Sequence, residues 1–181
     1  MTKAKTATWS VLLFAFVLLW LPLHTYSAVQ VYNLTVTSQY WNPDGFWRNV
    51  LYVNNQFQAP LINVTLNDTL VVRLSNRLPS SVITLHWHGL LMKGTPDMDG
   101  ASGVTQYPVA PMQDFEYSFQ IQGHGTYWYH AHLPLQYCDG LLGPLIIQRP
   151  NDPLRSLYDV EQVIVIQDWF HASGNELATP R

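Results

Sequence analysis

The sequence predicts an all-β protein, an antiparallel sandwich or barrel of short strands. Stretches of alternating apolar and polar residues recur along the chain, separated by Gly-, Pro- and Asn-rich turns. No segment keeps a helical apolar period for more than a turn or two. The composition agrees: 7 Trp, 10 Tyr and 48% apolar residues against 12% charged suit packed pleated faces and argue against disorder.

The elements follow in order. Residues 30–37 alternate as a half-buried strand, with Tyr32, Leu34 and Val36 on one face. Asn42-Pro43-Asp44-Gly45 is a turn, residues 50–53 resume extended structure, and Asn54-Asn55 breaks it. Residues 61–66 and 69–74 are β-branched and alternate, and the short Asn67-Asp68 link predicts a hairpin between them. Residues 82–87 form the next strand, and a loop rich in Gly, Pro and Asp covers 93–103. Phe115, Tyr117, Phe119 and Ile121 alternate with Glu116, Ser118 and Gln120, a strand with one wet face. Gly123-His124-Gly125 then turns the chain into a strand at 126–131, and residues 145–148 close the set.

This assigns a first domain to residues 28–149. Pro150, Asp152 and Pro153 mark a linker over 150–158. Residues 160–167 read as a fresh apolar strand. One strand cannot fold alone, so residues 159–181 are expected to open a second, incomplete domain.

Export is expected from the first 27 residues. Lys3 and Lys5 precede an apolar run over 11–23 interrupted by Pro22, and the small residues Ser27 and Ala28 follow, the layout of a signal peptide. The run is shorter than the ~20 residues a membrane span needs, so no membrane contact is expected after cleavage. Asn33-Leu34-Thr35, Asn63-Val64-Thr65 and Asn67-Asp68-Thr69 are N-glycosylation acceptor triplets, which fit a secreted protein. A net charge of −3 leaves no basic footprint for a nucleic-acid partner.

The chemistry concentrates in two histidine pairs, His86-Trp87-His88 and His130-Ala131-His132. In a strand, residues i and i+2 share a face, so each pair projects two imidazoles to one side and Trp87 to the other. Two such pairs on neighbouring strands make a metal site, because four imidazoles buried to no purpose would leave polar atoms unsatisfied. Of the other histidines, His24 lies in the leader, and His124 and His171 read as ordinary surface or core residues. A zinc protease would need His-Glu-x-x-His on a helix, and structural zinc would want more thiolates than Cys138 alone. Cys138 is a poor blue-copper ligand, since no His follows it before His171. A cupin-type site would need an acid soon after His88, and Gly89 to Lys93 supply none.

His86-Trp87-His88-Gly89, Asp99-Gly100, Gly125-Thr126-Tyr127-Trp128-Tyr129-His130-Ala131-His132 and the Gln136-Tyr137-Cys138-Asp139-Gly140-Leu141-Leu142-Gly143-Pro144 stretch together resemble the first domain of the multicopper oxidases. The branch most similar is that of fungal laccases and iron oxidases, and the resemblance covers about Tyr32 to Gln148. It implies a cupredoxin-like Greek-key β-sandwich followed by the first strand of a second such domain. It also implies copper: His86 on a type 2 ion, His88 and His130 on one type 3 ion, His132 on the other. Asp99 matches a carboxylate that assists proton delivery, and Cys138 a cysteine that some laccases pair with a distant Cys. Asp168-Trp169-Phe170-His171 resembles the opening of the family's second domain.

The expected partners are O2 and a small reducing substrate, a phenol or ferrous iron, together with the remaining domains of the same polypeptide. The rest of the cluster and the type 1 site are missing from these 181 residues, so the expectation is half of an active centre, inactive alone. A non-catalytic secreted copper-binding domain is the alternative.

Overall fold

A computed structural model describes residues 27–179; the signal peptide expected over 1–27 lies, but for its last residue, outside the described residues. Among the described residues eight strands form two four-stranded sheets. The first sheet has the order β2-β1-β4-β6, from β1 (Val29–Trp41), β2 (Arg48–Val53), β4 (Thr69–Asn76) and β6 (Asp114–Gln120). The second has the order β3-β8-β7-β5, from β3 (Ile62–Thr65), β5 (Leu85–His88), β7 (Gly125–Ala131) and β8 (Leu142–Gln148).

The inner faces meet in one core. Leu34 and Val36 of β1, Leu70, Val72 and Leu74 of β4, and Tyr117 and Phe119 of β6 pack against Ile62, Val64, Leu85, Trp87, Tyr129, Leu145 and Ile147 of the other sheet. Each fully buried Leu or Ile contributes roughly 1.5–3 kcal/mol by leaving water. The period-2 pattern thus decided which side chains face inward, as the sequence predicted. Trp87 is completely buried, a core residue.

Two expectations are corrected. Residues 61–66 and 69–74 are not a hairpin, because β3 and β4 belong to different sheets. The link is a corner: Asn67 takes φ 75°, and the buried Asp68 carboxylate accepts hydrogen bonds from Thr65 N at 3.0 Å and Ala28 N at 2.9 Å. Alternation reports which face is buried, and says nothing of which neighbour a strand pairs with. The sandwich is also not wholly antiparallel. β1 pairs β4 in parallel through residues 29–36 before pairing β2 antiparallel through 36–41, and β3 pairs β8 in parallel.

The segment expected to open a second domain forms no ladder, and Val160, Ile164 and Ile166 are 80%, 76% and 91% exposed. Without a neighbouring strand their backbone groups have no ladder to join. The chain then returns to the sandwich at Trp169. The Arg48 guanidinium, 6% exposed, lies 3.8 Å from the Trp169 ring centre, donates to the Asp139 carboxylate at 2.6 Å and to Cys138 O at 2.7 Å. Asp139 also accepts from Gly174 N at 3.0 Å. Gly174 opens the short helix α1 (Gly174–Ala178), which Ser173 and Glu176 hold in a reciprocal capping box. Among the described residues no helix is long and apolar enough to cross a membrane.

Candidate metal centre

The outward face of the second sheet carries the histidines. In the β5–β7 ladder His86 lies opposite His130 and His88 opposite Trp128. The cross-strand register therefore does what the sequence spacing alone could not, and brings the two pairs to one place. One nitrogen each from His86, His88 and His130 lies within 4.8 Å of the others. His132 sits just past the end of β7, exposed, with its ring 5.1 Å from that of His86 and 6.2 Å from that of His130. It adjoins the cluster but is not one of the converging trio.

Second contacts decide which nitrogen of each ring is free. His130 Nδ1 lies 2.9 Å from Ala131 O and His86 Nδ1 lies 2.8 Å from Asp99 O, so in each the N–H donates there and Nε2 is left as an acceptor. His88 turns the other way, its Nδ1 3.3 Å from His130 Nε2. Two imidazole nitrogens sharing one ion at bonds of about 2 Å stand about 3.3 Å apart at a tetrahedral angle. The all-imidazole donor set therefore fits a copper-class ion, with the His88 and His130 nitrogens already at a shared-ion separation.

The loop over 93–103 frames this site through β5. Trp87 donates Nε1–H to Met98 O at 3.0 Å on the inner side, while His86 on the outer side bonds the next carbonyl, Asp99 O. The Asp99 carboxylate also reaches to 3.4 Å from His86 Nδ1. Loop and strand touch so closely that a Cβ on Gly100, at φ +80°, would overlap the Leu85 carbonyl. The sequence reading missed Gly100 and also Trp128, which stacks on His130 with ring centres 4.1 Å apart. Trp128 was findable: it stands two residues before His130 and four before His132, in phase with both.

Burial depresses the His130 pKa to about 4, with the neighbouring His86, His88 and His132 adding to the effect, so the ring is neutral at physiological pH, as a ligand must be. His130 is 7% exposed. Unfolding returns the group to about 6.5, so the unfolded chain binds more protons between those values. The stability from neutral His130 is present in full above about pH 6.5 and is lost as pH falls towards 4, up to on the order of 3 kcal/mol. Urea unfolding between pH 7 and 4 is expected to show a shallower pH slope in His130→Gln than in the unsubstituted chain. Equal slopes would remove His130 as the cause.

The other sequence candidates are dispersed. His171 donates its Nε2–H to the Asp44 carboxylate at 2.9 Å and stacks on Phe46, away from the cluster, and His124 is exposed. Cys138 is 4% exposed, and burial raises its thiol pKa. Asn33, Asn63 and Asn67 are all exposed.

The family profile described as multicopper oxidase matches residues 35–152. The chain belongs to the multicopper oxidase family. It is 42% identical to laccase-1 of Thanatephorus cucumeris over 154 residues, which cover 81% of this chain and 27% of that relative. It is 40% identical to laccase-1 of Cryptococcus neoformans over 156 residues, 82% of this chain and 25% of the relative. Among solved structures, the laccase of Botrytis aclada superposes with a TM-score of 0.66 at 40% identity, covering 68% of this chain and 23% of that one. Fet3p, described as a multicopper oxidase that functions in iron import, gives 0.75 at 34% identity, covering 83% and 28%. The fold of this multicopper oxidase chain is accordingly cupredoxin-like. The chain spans about a quarter of the length of the curated relatives it matches.

Proposed function

We propose that this chain supplies one wall of the oxygen-reducing copper centre of a secreted, laccase-like oxidase that oxidises small phenols by single electrons. The observation that carries the reading is the convergence of His86, His88 and His130 nitrogens within 4.8 Å on one rigid ladder. Bound copper would supply electron acceptance and O2 chemistry that no side chain here provides. His88 Nδ1 and His130 Nε2 would share one type 3 ion, His86 Nε2 would face the type 2 ion, and His132 would serve the second type 3 ion. Asp99 would hold His86 through its carbonyl and keep a carboxylate beside it as a proton acceptor and donor. The remaining ligands, the type 1 site and the substrate pocket would come from residues outside this chain, beginning with a second domain that residues 159–181 open after the 150–158 linker.

Secretion through a signal peptide over 1–27 is part of the same reading, as are glycans on Asn33, Asn63 and Asn67. Cys138, 4% exposed, would pair with a Cys outside this chain. An iron oxidase is the second reading, favoured by the longer overlap with Fet3p.

Titrating the purified chain with Cu(II) under air, with a phenol or ferrous iron present, tests the proposal. Copper binding without sustained O2 uptake and without an intense blue thiolate band is the expected result. Steady turnover would overturn the half-site reading, and an absence of binding would overturn the copper reading itself.

A further inference from the structure

We infer that Trp128 is a positioning residue of this centre, whose indole fixes the ring planes of His130 and His88 and favours their metal-bound form. The inference rests on the copper reading above. In the ladders of β7, Trp128 is held opposite His88 on one side and opposite Pro144 on the other, so its backbone is fixed between two strands. Its indole stacks on His130 at 4.1 Å between ring centres and 26° between planes. The same indole lies 5.1 Å from the His88 ring at 36°. Tyr137 closes the set, edge-on to the indole at 6.5 Å and to His130 at 5.7 Å.

Two consequences follow from aromatic physics. Tilting the His130 ring out of its plane would break the stack, and a half-turn within that plane would break the Nδ1–H bond to Ala131 O, so Nε2 stays aimed at His88 Nδ1. An imidazole that gives its lone pair to a cation also becomes electron-poor. The negative face of the stacked indole then attracts it more strongly than it attracts the free ring. Trp128 thus acts through the ligands and need not touch the ion or the substrate.

The test uses the full chain and its Trp128→Phe and Trp128→Leu variants, with Cu(II) affinity by calorimetry and ring NMR of 15N-histidine in the metal-free state. The expected outcome is about tenfold weaker Cu(II) binding for Leu, within the range of other partners that orient ligands. Phe keeps a stacking face and should stay within about threefold of the original. In the unsubstituted chain the His130 ring protons should be shifted upfield by the indole and its proton held on Nδ1. In the Leu variant both signatures should be lost while the fold, read by circular dichroism, is kept.

A folded Leu variant with unchanged affinity and an unchanged His130 tautomer overturns the inference. So does an unsubstituted chain whose His130 ring protons show no upfield shift, a result that needs no variant to fold. Should Leu prevent folding, Trp128→Met takes its place, since Met fills irregular space without a ring face. If the unsubstituted chain binds no Cu(II), the copper reading fails and the affinity-favouring half of the inference fails with it. The ring NMR still decides whether the indole orients His130.

Discussion

Replacing Gly100 with alanine is expected to lower the melting temperature by roughly 4–20 °C and to weaken metal binding with it. The added Cβ meets two penalties. Gly100 holds φ +80°, which costs an L residue about 1–2 kcal/mol, and the Cβ would overlap the backbone oxygen of Leu85, which no rotamer change can move. Either the loop or β5 must shift, and β5 is where Trp87 and His86 grip consecutive carbonyls of that loop. Overpacking of this kind adds about 1–3 kcal/mol, for a total of roughly 2–5. For a chain of this size about 2–4 °C is lost per kcal/mol. Gly103→Ala is the internal control: φ is +74° there but nothing lies within 4 Å of the new Cβ, so only the backbone cost should appear. Calorimetric unfolding of both variants decides the matter. Equal losses would mean that loop and strand are not in the close contact described.

Arg48→Met is expected to cost about 3–5 kcal/mol, because it strands a carboxylate that burial already disfavours. The Asp139 side chain is 16% exposed, and burial raises its pKa against the opposing pull of the Gly174 N–H and Arg48. Removing the guanidinium also frees the Cys138 carbonyl and uncovers the Trp169 ring. The double variant Arg48→Met/Asp139→Asn should recover part of the loss, since no unpaired charge remains. A double-mutant cycle by urea unfolding measures the coupling, and strict additivity would rule out the ion pair as the source. The same variant should loosen α1 and the segment before it, read as faster amide exchange at Gly174.

The strands were legible because alternation is a local property: with Tyr117 and Phe119 set between Glu116, Ser118 and Gln120, the strand could bury only one face. The histidine pairs were legible for the same reason. Partner choice was not, and residues 61–74 show why. Two well-formed strands with a short link look like a hairpin whether they pair with each other or with β8 and β1, because pairing is settled by the burial of a whole sheet. Residues 160–167 make the converse point, since an apolar strand pattern forms no ladder without a neighbour. Trp128 was visible in phase with His130, but stacking is a matter of ring orientation that spacing does not encode.

By itself the sequence determined the period-2 faces, the family resemblance, and that His86 and His88, and separately His130 and His132, must point the same way. Tertiary structure decided the rest of the site. Only the β5–β7 register sets His86 opposite His130, only the Gly100 contact brings the Asp99 carbonyl to His86, and only the fold buries His130 deeply enough to keep it neutral. The physical reason is one of range. A strand fixes the direction of its side chains over two residues, whereas a ligand set needs positions held across more than forty.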